Sequence, residues 1–478
     1  MNHYEYKPDQ PGTNSAFTEK MRKAGIPEQV INLFNKYLHR LSSDAEQEHF
    51  IREHEIQPLE EQDLPDHHEL TREDEDFGRS ILDRAVMLKL NGGLGTSMGM
   101  PHAKSLLTVR EDYTFLDIIL EQARIKGKSE QGEGSLILMN SPNTDNEIRE
   151  HLELTCYHDN LPLIFNQHVY PKVLADSLEP AVCPGDPQLE WNPPGHGDLF
   201  ASLLTSGMLE YLLDQGKRYA FVSNADNLGA SIDPAILGYF ARNRFSLLME
   251  VAKRTSTDKK GGHLAKYTNG QLVLREGAQC SEADREYFQD VNRHRFFNTN
   301  NIWLDLQILN DYIQREGLPE LPLIVNPKNL NPRDEDSPRV YQLETAMGSA
   351  VSVFERSSAL KVGRNRFIPV KKTNDLLAIR SDCYVLNKYF ELSPNPEREL
   401  GPIEIDLDEA FYKKVDQFED RFPWGPPSLI GCESIKVNGD VLFEDNVLCR
   451  GKVEIINSSG TQKKVPRGSE LSGRIVLD

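Results

Sequence analysis

LKLNGGLGTSMGMPHAKS, residues 88–105, is the stretch from which the rest of the chain is read. Glycines stand at Gly92, Gly93, Gly95 and Gly99, and the run closes on Lys104. The apolar residues Ala85, Val86, Met87 and Leu88 lead straight into it. A strand, a glycine-rich turn and a lysine together point to phosphate. Glycine lets the backbone approach a ligand and reach positive φ without steric cost. Successive N–H groups in such a turn form an anion-binding concavity. A helix N-terminus placed after it would add its dipole, and a lysine adds a point charge. Without a ligand the same pattern is a plain βα turn.

The two commonest nucleotide loops are excluded. A Walker A loop needs Gly-Lys-Ser/Thr with another glycine five positions before that Gly. Here Lys104-Ser105 follows Ala103, and position 98 is Met98. A dinucleotide fingerprint needs G-x-G-x-x-G, but after Gly93 and Gly95 the next glycine, Gly99, comes one position late.

The chain has 478 residues, enough for two to four domains and a large core. Its net charge is −20 with 38% hydrophobic residues, and its mean hydropathy is −0.53. Such an acidic chain is not built for broad binding to nucleic acid or anionic membranes, which rests on clustered Lys and Arg. A phosphorylated small substrate needs only a few local cations. No run of 18 apolar residues occurs, so no membrane span is expected. The N-terminal MNHYEYKPDQPGTNS has no apolar core of a signal peptide. The six cysteines form no CxxC pair, so neither a zinc ribbon nor a thioredoxin-like site is signalled, and a reducing cytoplasm is the expected compartment.

Along the chain, residues 27–41 carry Val30, Leu33, Phe34, Tyr37, Leu38 and Leu41 at helical spacing. The acidic run 60–76 reads as a solvated linker. From residue 85, strands alternate with helices. Strands are expected at 85–90, 135–140, 161–167 and 219–226, and helices at 115–126 (with Thr114 as N-cap), 146–154 and 198–216. That alternation predicts an α/β fold with a mixed, mostly parallel sheet flanked by helices. Ligands bind beyond the carboxyl ends of strands in such sheets, where the glycine loop, Gln167 and Asp226 fall. Residues 434–460 read as short strands and turns, either a small sheet or coils of a parallel β-helix. Three regions follow: a helical, polar segment over 1–80, an α/β domain over 81–420 and a β-rich domain over 421–478.

Asp226, after an apolar strand in SNADNLGA (223–230), suits a carboxylate holding Mg²⁺ against phosphates, or an Asx-turn ending the strand. His196 lies between glycines in NPPGHGDLF (192–200). DKKGGHLA (258–265) and RFIPVKKTNDLL (366–377) offer lysine-bearing turns, and FFNTNNIWLD (296–305) sets asparagines beside aromatics. No nucleophile elbow and no tight Cys/His pairing appear, so nothing suggests covalent catalysis.

These segments, with NQHVYPK and QLETAMGSA, occur in an order that resembles the UTP–glucose-1-phosphate uridylyltransferase family of the eukaryote-like type, over roughly residues 85–385. The resemblance implies a nucleotidyltransferase, or Rossmann-like, fold with a β-helix-like tail. It implies formation of UDP-glucose and pyrophosphate from UTP and glucose 1-phosphate with Mg²⁺. Carried over by motif, Leu90, Asn91, Gly92 and Gly93 would hold uridine and phosphates, Lys104 would contact phosphates, and Gln167 and Gly195 would read the uracil or ribose. His196 would lie at the substrate phosphate, Asn224 at the nucleotide sugar and Asp226 at the metal. Lys371 would be the essential phosphate lysine, and Asn298 and Asn300 would be sugar contacts. Lys260 matches the lysine of the family's Lys-Gly-Gly turn. Met100-Pro101-His102-Ala103 replaces the family's Cys-Lys-Gly-Pro, which removes one cation, and residues 256–262 carry an extra lysine. The same chemistry on galactose 1-phosphate or an N-acetylhexosamine 1-phosphate, and a catalytically silent nucleotide-sugar sensor, stay open, as does assembly into a homo-oligomer.

Overall fold

The computed structural model describes residues 13–42, 50–129, 136–155, 161–255 and 258–477. Ser135, Cys156, Ser256, Thr257 and the N-terminal residues 1–12 lie outside the described residues. The described chain groups into two compact units built from interleaved stretches. The first takes residues up to Glu69, Phe165–Tyr219 and Phe240–Lys361; the second takes Leu70–Ile164, Ala220–Tyr239 and Val362 onward.

In the second unit the strand Ala85–Leu90 runs parallel to Leu136–Asn140, with Met87 opposite Leu136 and Leu90 opposite Met139. The neighbour on the other side is the strand Tyr219–Asn224. Every residue of Ala85–Lys89 and of Leu136–Asn140 is buried, as strands covered on both faces require. A parallel pair needs a crossover, and the connection carries the helix Phe115–Ser129. Thr114 starts that helix as expected: its hydroxyl accepts the Asp117 N–H at 3.1 Å, while the Asp117 carboxylate accepts the Thr114 N–H at 2.9 Å. The α/β class and the mixed, mostly parallel sheet flanked by helices read from the sequence are what the structure shows.

The acidic run departs from the expected linker. Its first half belongs to the first unit, where Glu61 pairs with Lys253 at 3.2 Å and Asp63 with Lys266 at 2.8 Å. Its second half enters the helix Arg72–Ser80, capped by Thr71, whose hydroxyl accepts the Asp74 N–H at 3.2 Å.

The first unit joins a mixed sheet to a smaller antiparallel one. Phe296–Asp305 pairs antiparallel with Leu247–Lys253, which in turn pairs parallel with Ser358–Lys361. In the smaller sheet Leu323–Asn329 pairs with Arg339–Thr345. The amphipathic helix Glu28–Ser42 lays Val30, Phe34, Tyr37 and Leu38 into a core with Tyr170, Val173, Leu323 and Leu343. The single helix expected over 198–216 is two, Leu199–Thr205 and Met208–Asp214. The Ser206 hydroxyl returns to the Ser202 carbonyl at 2.6 Å and Gly207 turns left-handed at φ +76°, which ends the first helix.

The tail is a stack of parallel strands, Ser428–Asn438 against Leu448–Ile456 and that against Glu470–Val476. Of the two arrangements open in the sequence, this is the coiled one. Among the described residues no helix is long and apolar enough to cross a membrane.

Within the second unit two glycines let helices touch backbone to backbone. A Cβ on Gly78 would stand 1.8 Å from the Pro234 carbonyl oxygen, and one on Gly238 would stand 1.8 Å from that of Asp74. Gly238→Ala is therefore expected to cost about 2 kcal/mol of stability, read as an earlier midpoint in urea unfolding. An unchanged midpoint would show that this crossing carries no constraint.

Candidate active site

The glycine loop folds as a closed hairpin. The Gly95 N–H donates to the His102 carbonyl at 3.3 Å, the Met100 N–H to Gly95 at 3.0 Å and the Lys104 N–H to Gly93 at 3.0 Å. Two short 3₁₀ turns, Thr96–Met98 and Lys104–Leu106, lie in and after the loop. Gly93 is exposed and a Cβ there would meet nothing within 4 Å, so the loop presents open backbone at that point. The altered Met100–Ala103 turn is anchored on Glu147, which accepts the Ala103 N–H at 2.9 Å and lies 2.7 Å from His102 Nδ1. Asn91 turns inward: its side chain is buried and donates to Asn140 at 2.8 Å.

At the end of the strand Tyr219–Asn224 the chain makes the turn that carries Asp226. Leu90 accepts the Ala225 N–H at 3.1 Å, which sets this turn beside the start of the glycine loop. Lys104 Nζ closes on Asp226 Oδ2 as an ion pair with both side chains mostly covered. Asp226 Oδ1 is buried without a hydrogen-bond partner. From below, the fully buried Lys89 donates to Ser223 Oγ at 2.8 Å and to the Ala230 carbonyl at 2.9 Å, stapling the two ends of the turn. Lys371 is exposed, ahead of the helix Thr373–Arg380. Its N–H and that of Lys372 donate to Asp375 at 2.8 and 2.9 Å. Burial holds the Asp375 carboxyl above its usual range, against the pull of these N–H groups and of Lys371 and Lys104. The second unit thus brings together Leu90, Asn91, Gly92, Gly93, Lys104, Asn224 and Asp226.

The first unit carries Gln167, Gly195, His196, Lys260, Asn298 and Asn300, and three of them, Gly195, His196 and Asn298, meet one short segment, residues 345–348. Gly195 sits at φ +77°, and a Cβ there would stand 2.5 Å from the Thr345 carbonyl oxygen. His196 Nδ1 accepts the Met347 N–H at 3.0 Å, which fixes a neutral ring with Nε2–H as its remaining donor. Burial pushes the imidazole down to about 4. Beside Gln167, His168 donates its N–H to Asp198 at 2.7 Å, tying the Gln167 segment to the Gly195–His196 turn. On the other side, a Cβ on Gly348 would stand 2.7 Å from Asn298 Nδ2. Asn298 donates through that nitrogen to Asn300 at 2.7 Å, and its N–H donates to Gly262 of the lysine turn at 3.4 Å. A bulge opposite Glu250 and Val251, with Asn300 at φ +58°, re-aims this strand. The third asparagine of the cluster, Asn301, is a core residue that donates with Trp303 to the buried Glu250, each at 3.0 Å.

Sequence reading passed over Asp198, Met347 and Asp375. Asp198 stood in the quoted turn, but only tertiary contact shows that it binds His168. Met347 acts through its backbone, which no side-chain pattern reveals.

An α/β fold that sets a glycine hairpin, a lysine and a carboxylate together at strand ends defines a protein built to hold a polyphosphate. Comparison with known proteins gives it a family. The profile of the UTP–glucose-1-phosphate uridylyltransferases matches residues 31–450. The enzyme of that name from Musa acuminata is 38% identical over 457 residues, 93% of each chain, and that from Hordeum vulgare 39% identical over 463 residues, 95% of this chain and 92% of that one. Among solved structures, a point mutant of UDP-glucose pyrophosphorylase from Leishmania major in complex with UDP-glucose is 40% identical with TM-score 0.91, covering 98% of this chain and 100% of that one. A Trypanosoma brucei UDP-glucose phosphorylase is 40% identical with TM-score 0.88 over the same shares. The chain belongs to the UTP–glucose-1-phosphate uridylyltransferase family, a family of nucleotidyltransferases.

The lowered His196 value has a consequence for stability. The unfolded chain takes up this proton near pH 6.5 and the folded chain only near 4. Stability is therefore present in full above about 6.5 and is lost as pH falls toward 4, by up to about 3 kcal/mol. His196→Asn, whose carbonyl oxygen keeps an acceptor for Met347, is expected to flatten the stability difference between pH 7 and pH 4.5 in urea titrations. Parallel slopes for both proteins would refute it.

Proposed function

We propose that this chain makes UDP-glucose and pyrophosphate from UTP and glucose 1-phosphate. A phosphate oxygen of glucose 1-phosphate attacks the α-phosphorus of UTP in line. The new P–O bond forms as the bond from the α-phosphorus to the bridging oxygen of the β-phosphate breaks, and pyrophosphate leaves with that electron pair. No general base is required, because a sugar phosphate is already largely ionised near neutral pH. Such transfers are catalysed mainly by positioning and charge neutralisation. The observation that carries this reading is the Lys104–Asp226 pair beside the glycine hairpin, in a chain of this family.

Each residue then has a part. Leu90, Asn91, Gly92 and Gly93 cradle the nucleotide, with open backbone at Gly93. Lys104 and Lys371 balance charge on the transferring and leaving phosphates. Gln167 and Gly195 read the uracil or ribose, and His196 offers Nε2–H to a phosphate oxygen. Asn224 contacts the nucleotide sugar, Asn298 and Asn300 contact hexose hydroxyls, and Lys260 adds a cation.

The residues fit Mg²⁺. Among the described residues no cluster of three His, Cys, Asp or Glu could cage a metal, yet Asp226 keeps one buried oxygen without a partner. An ion that takes one or two carboxylates and completes its shell with phosphates and water matches that donor set. Asp226 would hold it, and when bound it would neutralise phosphate charge. The five described cysteines are free thiols, which supports a reducing cytoplasm as the compartment.

The test is pyrophosphate release with Mg²⁺, UTP and a panel of sugar 1-phosphates. Glucose 1-phosphate is expected to exceed galactose 1-phosphate and N-acetylglucosamine 1-phosphate; equal release with another sugar would move the substrate and keep the mechanism. Lys371→Ala should lower kcat by about 10²-fold, as for one lost electrostatic donor, and an unchanged kcat would remove that role. Asp226→Ala should abolish most activity and the response to added Mg²⁺; full activity would refute the metal assignment.

A further inference from the structure

We infer that Asn227 is a positioning residue whose side-chain amide locks the turn carrying Asp226 to the segment leading into Lys371. This rests on the reading of Asp226 and Lys371 given above.

Asn227 follows Asp226 directly and is 1% exposed. Its Nδ2 donates to the Arg366 carbonyl at 3.1 Å, and its Oδ1 accepts the Ile368 N–H at 2.9 Å. Ile368 N–H can only donate, so the orientation of the amide is set by its partners. The side chain thus binds two backbone groups two residues apart, as a neighbouring strand would. The Asn227 backbone is used in a tight turn, with its N–H donating to Asn224 at 3.2 Å and its carbonyl accepting the Ala230 N–H at 3.3 Å. Opposite it stands Pro369, in a single antiparallel bridge, and proline has no N–H to give.

Neighbours keep the two segments in register. A Cβ on Gly229 would stand 2.4 Å from the Asn365 carbonyl oxygen. Buried Arg366 donates to the Ser231 carbonyl at 2.9 Å. From Pro369 the chain reaches Lys371 in two residues, where Asp375 holds the lysine's own N–H at 2.8 Å. One amide therefore joins the turn of the carboxylate to the segment of the exposed lysine. Neither group can shift along its segment without breaking a buried hydrogen bond.

Two substitutions test this. Asn227→Ala removes both bonds. The expected result is a fall in kcat of about 10-fold or more with KM for UTP held within about twofold, the signature of displaced groups rather than lost binding. Hydrogen exchange of the Ile368 amide should speed up by about 10-fold, since its acceptor is gone. Asn227→Gln keeps both amide groups but sets them one methylene farther out, so kcat should again fall about 10-fold with KM for UTP nearly unchanged. A role in general stability would lower the melting midpoint and leave the kcat of the folded protein at the parent's value. Unchanged kcat and unchanged Ile368 exchange in Asn227→Ala overturn the inference. Should Asn227→Ala fail to fold, the same two readouts in Asn227→Gln decide. A parent enzyme that releases no pyrophosphate with any sugar would overturn the functional reading instead, and Ile368 exchange would still report on the clamp.

Discussion

The ion pair between Lys104 and Asp226 is the constraint on which the second unit is arranged. Two mostly covered charges are costly unless paired, so the glycine hairpin and the turn after Tyr219–Asn224 have to end where their side chains meet. Backbone bonds make that meeting specific: Leu90 accepts from Ala225, and Gly93 from Lys104 itself. Lys89 braces the same turn from inside the sheet.

The first unit solves a different problem with the same economy of parts. Residues 345–348 offer backbone rather than side chains: Thr345 crowds Gly195, Met347 donates to His196 and Gly348 abuts Asn298. Glycine at 195 is needed because the Thr345 carbonyl approaches there more closely than any Cβ allows, whereas at 348 the crowding comes from the side chains of Asn298, Leu274 and Met249. His196 is held neutral by burial, so it contributes a donor and no charge.

The strands Ala85–Leu90 and Leu136–Asn140 were legible because continuous apolar runs between turn signals have few other meanings. The family resemblance was legible because eight short motifs between the glycine loop and RFIPVKKTNDLL stand in one order. Other features lay outside any local pattern. The break at Gly207 competes with a well-spaced apolar face that argued for one helix. Asn301 looked like its neighbours Asn298 and Asn300, and only the bulge and the buried Glu250 separate a core amide from two half-buried ones. The hairpin closure of the glycine loop was not legible either: the lysine's own N–H returns to Gly93, a backbone bond that no residue type signals. Asn91 carried the motif, yet its side chain serves the loop's underside.

The interleaving of the two units bears on how the chain comes into being. The sequence passes from one unit to the other five times, at residues 69/70, 164/165, 219/220, 239/240 and 361/362. As the chain leaves the ribosome, the first unit has all its parts only after Lys361, and the second waits for the last strands of the tail. Strands such as Ala85–Leu90 emerge long before Tyr219–Asn224 can cover them. Contacts so distant in sequence slow folding and leave apolar edges open meanwhile. The arrangement that sets the glycine hairpin beside the Asp226 turn also leaves apolar strands uncovered until most of the chain has been made.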